Sequence, residues 1–267
     1  MAALLAALPA TAQDVHLPAL WPIAKRLQPP SSEKLLAIRF LTNTTYPPFN
    51  YIDETGSLAG FNIDLARAIC DVLKVDCIMR TRAWDKLSGE LAGGQGDAII
   101  ASMAITEANR AKFDFSDRYY LTPARFIART ETSIGEITPQ ALKGWKVAVV
   151  KDSAHQAYIR IFFPEAEGVV FDTRDKARAA LMDKEVDLLF DDGISLAFFL
   201  TGQLSKGCCA FRGGPFLDSV YFGEGAGIAV AKGNATLRDS INYALRKLYA
   251  DGVYEELFLK HFPVSFY

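Results

Sequence analysis

Short apolar runs alternate with amphipathic stretches along most of the chain. The run over 35–42 is apolar enough for a buried strand. Asn43-Thr-Thr-Tyr-Pro-Pro-Phe49 ends it sharply, because the proline pair forbids helix. Asp53-Glu-Thr-Gly56 reads as a hairpin turn, and Gly60-Phe-Asn62 as a helix start capped by Asn62. Leu65, Ile69, Val72 and Leu73 follow at helical spacing and should face the core. A strand is predicted over 75–80 and a short helix over 85–92, with Gly93-Gly94 as loop punctuation. Then a brief apolar run, Ala98 to Ile100, passes through Ala101 and Ser102 into a polar helix over 106–112. A strand that opens through small residues into a helix start exposes backbone N–H groups, with the positive end of the helix dipole facing whatever binds.

After Tyr120 the pattern restarts. Strands are predicted over 125–129, 146–150, 186–190 and 225–231. Helices are predicted over 153–162, 173–183 and 194–200, followed by one long final helix. That helix carries Leu237, Ile241, Leu245 and Leu248 and is completed by 254–261. Strands alternating with helices of this length argue an α/β fold with mostly parallel sheets. Gly96-Asp-Ala-Ile-Ile100 is echoed by Val186-Asp-Leu-Leu-Phe190, each closing a strand–helix–strand block. The echo suggests two lobes of the same build.

The 267 residues can bury a substantial core as one large domain or two medium ones. A net charge of −2, without a Lys/Arg cluster, gives no reason to expect nucleic acid or an anionic membrane as partner. Residues 1–12 form an apolar stretch ending in Ala10-Thr11-Ala12, which reads as the core and cleavage site of a secretory signal. It lacks a basic leader, and a plain apolar helix is the alternative. Residues 13–34, with four prolines, read as an N-terminal extension on the surface.

Chemistry beyond that is sparse. Cys70 and Cys77 stand at a helix–turn–strand corner, within disulfide range or as two buried thiols. Adjacent Cys208 and Cys209 form either a vicinal disulfide or two thiols. No cysteine has His or Cys neighbours at metal-ligand spacing, so no metal and no cofactor are expected. Of the three histidines, only His155, at a helix start, stands where it can face a cleft. No G-x-S-x-G motif occurs, and no catalytic residue is nominated.

Five segments, in order and at near-matching spacing over about 35–265, carry a resemblance. They are Gly60-Phe-Asn-Ile-Asp-Leu-Ala66, Ile105-Thr106, Asp114-Phe-Ser116 with Tyr119-Tyr120, Gly227-Ile-Ala-Val-Ala-Lys232 and Asp251-Gly-Val-Tyr254. Together they resemble the family 3 solute-binding proteins, the polar-amino-acid receptors of bacterial ABC importers. The nearest pattern is that of the lysine/arginine/ornithine- and histidine-binding proteins. The resemblance implies a type II periplasmic-binding-protein-like fold, two α/β lobes joined by two crossover strands that close on ligand. Lobe 1 would be 35–120 plus 224–267 and lobe 2 would be 121–223, with hinges near 121–123 and 222–224. It also implies a Cys70–Cys77 disulfide and a periplasmic location.

Site residues carry over one at a time. The resemblance makes Tyr46 a pocket-lining tyrosine, Trp84 the aromatic stacked on the ligand side chain, and Ser102 the acceptor of the ligand α-ammonium. Met103 lies on the same loop as Ser102, and Asp192 would pair with that ammonium from lobe 2. Four positions depart from the family pattern. The carboxylate-binding arginine is Asn109, and the hydroxyl residue that helps it is Ala104. The acidic residue that receives basic side chains is Asn43, and the lobe-2 loop reads Asp152-Ser153-Ala154, with Ser153 still able to offer a hydroxyl or N–H.

The amine half of an amino-acid site is therefore retained and the carboxylate half weakened. Either Arg110 or Lys151 substitutes, or the ligand is not a standard α-amino acid. The implied function is a monomeric receptor that traps a small polar, amine-bearing ligand and presents it to the membrane permease subunits of an ABC importer. The alternatives are a cleft enzyme of the cyclohexadienyl-dehydratase type, with Glu224, Asp152 or Lys151 as acid, and a ligand-sensing module for a membrane partner. The chain ends directly after the last helix, which favours a free-standing receptor over a sensor fragment.

Overall fold

A computed structural model describes residues 35–262, so the signal and extension expectations lie outside the described residues. The chain begins with β1 (Ala37–Thr42), then the small antiparallel strands β2 (Thr45–Tyr46), β3 (Asn50–Ile52) and β4 (Leu58–Ala59). Next come α1 (Phe61–Leu73), β5 (Asp76–Thr81), α2 (Trp84–Ala92), β6 (Ala98–Ile99), α3 (Glu107–Arg110) and β7 (Phe113–Tyr120). After a crossing over 121–123 follow β8 (Ala124–Arg129), β9 (Lys146–Val150), α4 (Ala154–Phe162), β10 (Glu167–Phe171) and α5 (Arg174–Met182). They lead to β11 (Leu188–Asp192), α6 (Gly193–Thr201), β12 (Cys209–Phe216) and α7 (Ser219–Phe222). The chain crosses back into β13 (Ala226–Ala231), α8 (Ala235–Ala250) and α9 (Val253–His261).

These elements make two five-stranded sheets, ordered β5-β1-β6-β13-β7 and β10-β9-β11-β8-β12. The two orders are the same pattern. In each, the first three strands of a lobe are parallel, and the fourth place is filled by the strand that has just crossed from the other lobe. The sheets are mixed rather than mostly parallel, because β13 and β8 run antiparallel to both their neighbours.

The sequence echo between the halves has a concrete cause. Asp97 accepts from the backbone N–H of Arg39 at 2.8 Å and donates its own N–H to the Arg39 carbonyl. Asp187 does the same with Lys146, at 2.9 Å. Each aspartate ties the turn before its lobe's third strand onto the first, satisfying backbone groups at the sheet end.

Helix α1 shows how local pattern becomes packing. Phe61, Leu65, Ala66 and Ile69 recur on one face and are fully buried against Ile38 and Phe40 of β1 and Ile241 and Leu245 of α8. The helix ends at Lys74 in a left-handed conformation, whose N–H returns to the Cys70 carbonyl. Asn62 does not cap it: Gly60 holds that place, and Asn62 lies inside the helix with its side chain buried. The long final helix is also broken, because Gly252 adopts φ +79 and separates α8 from α9.

In the second lobe Phe126, Phe190, Tyr158, Phe163 and Phe216 form an aromatic core. Ile194 and Ala197 of α6 pack instead into the first lobe's core, so α6 bridges the lobes beside the crossings. Among the described residues no helix is long and apolar enough to cross a membrane.

The cysteines correct one expectation. Cys70 and Cys77 are free thiols, and the disulfide joins Cys208 to Cys209. Cys70 lies in the last turn of α1 and Cys77 on the edge strand β5; both pack on the first lobe's core, and Cys77 Sγ donates to the Ala66 carbonyl at 3.5 Å.

Candidate ligand-binding cleft

Almost every residue singled out by its type stands just past the C-terminal end of a parallel strand. Asn43 and Tyr46 follow β1, Trp84 follows β5 and Ser102 follows β6. Ser153 follows β9 and Asp192 ends β11, and Arg174, which the sequence did not single out, follows β10. In open α/β sheets this is the edge where ligands bind, because loops leaving parallel strands gather there. The two sheets thus present their loop edges to one cleft.

On the first lobe, Tyr46 is 46% exposed and stacks on Phe49, with ring centroids 5.1 Å apart; Phe49 in turn stacks on Tyr120 at 4.7 Å. The stack leaves one face of Tyr46 open. Trp84 opens α2, is 52% exposed, and has no ring partner among the described residues. Both aromatics keep an apolar face for a ligand, the amphipathic use to which such rings are suited.

Ser102 sits with φ +59, a left-handed conformation that side chains rarely adopt and that recurs at ligand-binding sites. A buried polar chain holds it there. Tyr119 Oη accepts from the Ser102 N–H at 3.1 Å and donates to Asn62 Oδ1 at 2.9 Å. Asn62 Nδ2 donates to Ser102 Oγ at 3.1 Å and to Asn50 Oδ1 at 2.6 Å, and Asn50 Nδ2 donates to Asn43 Oδ1. Such a network is stable only because each member is satisfied. Burial pushes the Tyr119 hydroxyl well above its ordinary pKa, so it stays a neutral donor.

Three expected site residues are used differently. Asn43 is 6% exposed, and its amide is spent on Asn50 and Thr45, so its side chain belongs to the network rather than to open cleft. Met103 is buried in the core with Leu41, Leu87 and Leu91. Asn109 turns back on its own loop, donating to the Ala104 carbonyl at 2.9 Å. Ala104 itself is exposed and pairs with Ala226. Arg110 is paired as well: its Nη2 lies 2.6 Å from Glu224 Oε2. Lys151 is exposed.

On the second lobe, Ser153 caps α4, accepting from the Gln156 N–H and donating to the Val150 carbonyl at 2.6 Å. Asp192 caps α6 through Oδ1, 2.7 Å from the Ser195 nitrogen. Burial raises the Asp192 carboxyl to about 6, and the neighbouring charge of Asp191 works in the same direction. The charge of Asp192 is felt at Tyr46, across the cleft, whose hydroxyl is raised first by burial and then by this carboxylate.

The sequence reading missed a cluster beside it. Asp191 is 1% exposed; Arg174 donates Nε to its Oδ2 at 2.8 Å, and His155 Nδ1 lies 3.7 Å from its Oδ1. Burial opposes the charge on Arg174, but the hydrogen bond to Asp191 and the charges of Asp191 and Asp192 outweigh it. His155 packs on Phe222, and burial lowers its pKa, so it is neutral near pH 7. Arg174 stands three residues past a strand end, after Asp172 and Thr173. That strand, β10, carries too little hydrophobic contrast in Glu-Gly-Val-Val-Phe171 to be read. Among the described residues no three His, Cys, Asp or Glu side chains gather to hold a metal.

Two lobes with matching sheet order, joined by two crossings and facing each other across a cleft edged with aromatics and one half-buried aspartate, define a bilobal ligand-binding protein. The chain belongs to the bacterial extracellular solute-binding proteins, family 3, whose pattern matches residues 38–264. It is 35% identical over 234 residues to the L-arginine-binding protein of Pseudomonas aeruginosa, covering 86% of this chain and 89% of that one. It is 31% identical over 232 residues to the lysine/arginine/ornithine-binding periplasmic protein of Escherichia coli, with 86% and 89% coverage. In fold it is similar to the L-cystine solute receptor of Neisseria gonorrhoeae in its unliganded open conformation. That likeness has a TM-score of 0.74 and 23% identity, over 86% of this chain and 94% of that one.

Proposed function

We propose that this protein is the exported receptor of an ABC importer and traps a small amine-bearing ligand, an amino acid or a derivative, between its lobes. The observation that carries the reading is Asp192, a carboxylate at the cleft end of β11 held near pKa 6 by burial and close enough to Tyr46 for its charge to be felt there. A desolvated carboxylate at a cleft edge gains most from a bound cation. An ammonium supplies that cation, and Ser102 Oγ offers it an acceptor from the other lobe.

Ligand docks first on Tyr46, Trp84 and Ser102 of lobe 1 (35–120 plus 224–267). Lobe 2 (121–223) then swings about 121–123 and 222–224 to add Asp192 and the Ser153 end of α4. The ligand shifts the equilibrium by the contacts it gains only in the closed form. The closed monomer is what the permease subunits recognise. The relatives' names support the amino-acid class: one binds L-arginine, another lysine, arginine and ornithine. A cleft enzyme is disfavoured by the engagement of Glu224, one of its candidate acids, with Arg110.

The test is calorimetric titration of ligand-stripped protein with L-arginine, L-lysine, L-ornithine, L-histidine and L-glutamine, repeated on Asp192→Asn. At least one should bind, and the variant should lose affinity on the order of 100-fold, as expected when one partner of a buried charge pair is removed. Equal binding by the variant would refute the role of Asp192.

A further inference from the structure

Arg174 opens α5 three residues past the end of β10 and stands on the second lobe's side of the cleft. Its charge is felt at Tyr46 on the first lobe, and the charge of Asp192 is felt at Arg174 in turn. Its contact with Asp191 is one-sided. Arg39 grips Asp97 through both Nε and Nη2, at 3.0 and 2.7 Å. Arg174 touches Asp191 through Nε alone. Its two Nη nitrogens have no hydrogen-bond partner among the described residues, and 51% of the side chain is exposed.

Asp191 therefore acts as a support. It is itself buried, it fixes the guanidinium from behind, and it leaves the outer edge free. That edge presents two parallel N–H donors, the geometry that recognises a carboxylate.

On the first lobe and at the crossings the basic side chains near the cleft are committed elsewhere, whereas Lys151, directly past β9 on the second lobe, is exposed. Arg110 is on Glu224, Lys232 is on Asp114 and the Arg110 carbonyl, and Arg118 reaches the Glu224 carbonyl. Position 109 on the first lobe carries no charge. An amino-acid ligand brings an ammonium and a carboxylate a few bonds apart. Asp192 and Arg174 offer one partner of each sign on the same lobe edge.

We propose that Arg174 is the carboxylate receptor of this cleft, so that the ligand's anionic group docks on the second lobe rather than at position 109 of the first. The inference rests on reading the cleft as an amino-acid site. It makes the ligand a carboxylate-bearing amine and not a simple polyamine. It also places both charged contacts on the lobe that moves, so charge pairing itself rewards closure.

The experiment pairs each carboxylate-bearing probe with its decarboxylated form: L-arginine with agmatine, L-lysine with cadaverine, and L-ornithine with putrescine. Each is titrated calorimetrically into wild type, Arg174→Gln and Arg174→Lys. Glutamine can still donate to Asp191, and a thermal melt of each variant confirms that it is folded. Wild type should prefer the amino acid by on the order of 100-fold, the scale expected for a charge-assisted bidentate pair. Arg174→Gln should abolish that preference while leaving the affinity for the amine within about threefold. Arg174→Lys should retain part of it.

Three results would overturn the proposal: equal binding of amino acid and amine by wild type, an equal loss of affinity for both probes in Arg174→Gln, or a preference that survives intact in Arg174→Gln. All three leave the receptor reading standing, whereas failure of every probe to bind wild type would remove the amino-acid reading and this proposal together.

Discussion

Asn109 donates its side-chain amide to the Ala104 carbonyl, 2.9 Å away, closing the loop before α3 on itself. Thr106 caps the same four-residue helix, accepting from the Asn109 N–H at 3.2 Å. The loop is thus self-satisfied and does not need a ligand to complete it. Asn109→Ala should lower affinity for any ligand found by less than about threefold, measured by calorimetry. A loss approaching 100-fold would mean that Asn109 touches the ligand after all.

The polar chain beneath Ser102 should behave very differently. Asn62 serves Ser102, Asn50 and Tyr119 at once. Asn62→Leu leaves those groups buried without partners, at a cost of about 1–3 kcal/mol for each unsatisfied group. Urea unfolding should show a clear fall in midpoint, and ligand affinity should fall with it, because the left-handed turn at Ser102 loses its support. A variant of unchanged midpoint would contradict the network's structural role.

The pH dependence follows from Asp192. Its folded-state pKa is raised from the ordinary 3.8 to about 6, so the folded ligand-free protein favours the protonated form. The direction of the linkage is that stability contributed by protonated Asp192 is present below about pH 4 and is lost as pH rises through about 6. Asp192→Asn should therefore raise the thermal midpoint of the ligand-free protein at pH 7 and change it little at pH 4, since asparagine keeps the helix cap. A cationic ligand reverses the balance, because it needs the charged carboxylate. Affinity should fall by up to about tenfold per unit as pH drops below 6. Calorimetry at pH 5, 6, 7 and 8 checks this, and a flat profile would show that no ammonium sits on Asp192.

Much of the fold was legible because its signals are local. The spacing of Leu65 and Ile69 gave α1, and the Pro47-Pro48 pair placed the turn that carries Tyr46. The echo of Asp97 in Asp187 gave two like lobes, and the paired backbone contacts with Arg39 and Lys146 are its cause. Strands β10 and β12 were not legible: the first is half exposed and contains glycine, and the second contains Gly213, Gly214 and Pro215. Missing β10 hid Arg174, whose meaning depends on being just past a strand end. Residue types also do not reveal who is already occupied. Asn43, Met103 and Arg110 have suitable positions in the chain, yet Asn50, the Leu41 cluster and Glu224 claim them.

The free thiols of Cys70 and Cys77 pack on the same core at the α1–β5 corner, which positions them for oxidation. Mild oxidation should close a disulfide between them and stabilise the fold by about 2 kcal/mol, the entropic value for so short a loop. Mass spectrometry of digests with and without reductant, alongside thermal melts, checks both parts. A wild-type melt that oxidation leaves equal to that of Cys70→Ala would contradict the prediction.

Closure on the ligand is the central claim, and small-angle X-ray scattering of ligand-stripped protein reads it most directly. Addition of the amino acid that binds best by calorimetry should lower the radius of gyration of wild type, and should not do so for Asp192→Asn at the same concentration. An unchanged radius of gyration in wild type under saturating ligand would contradict trapping between the lobes.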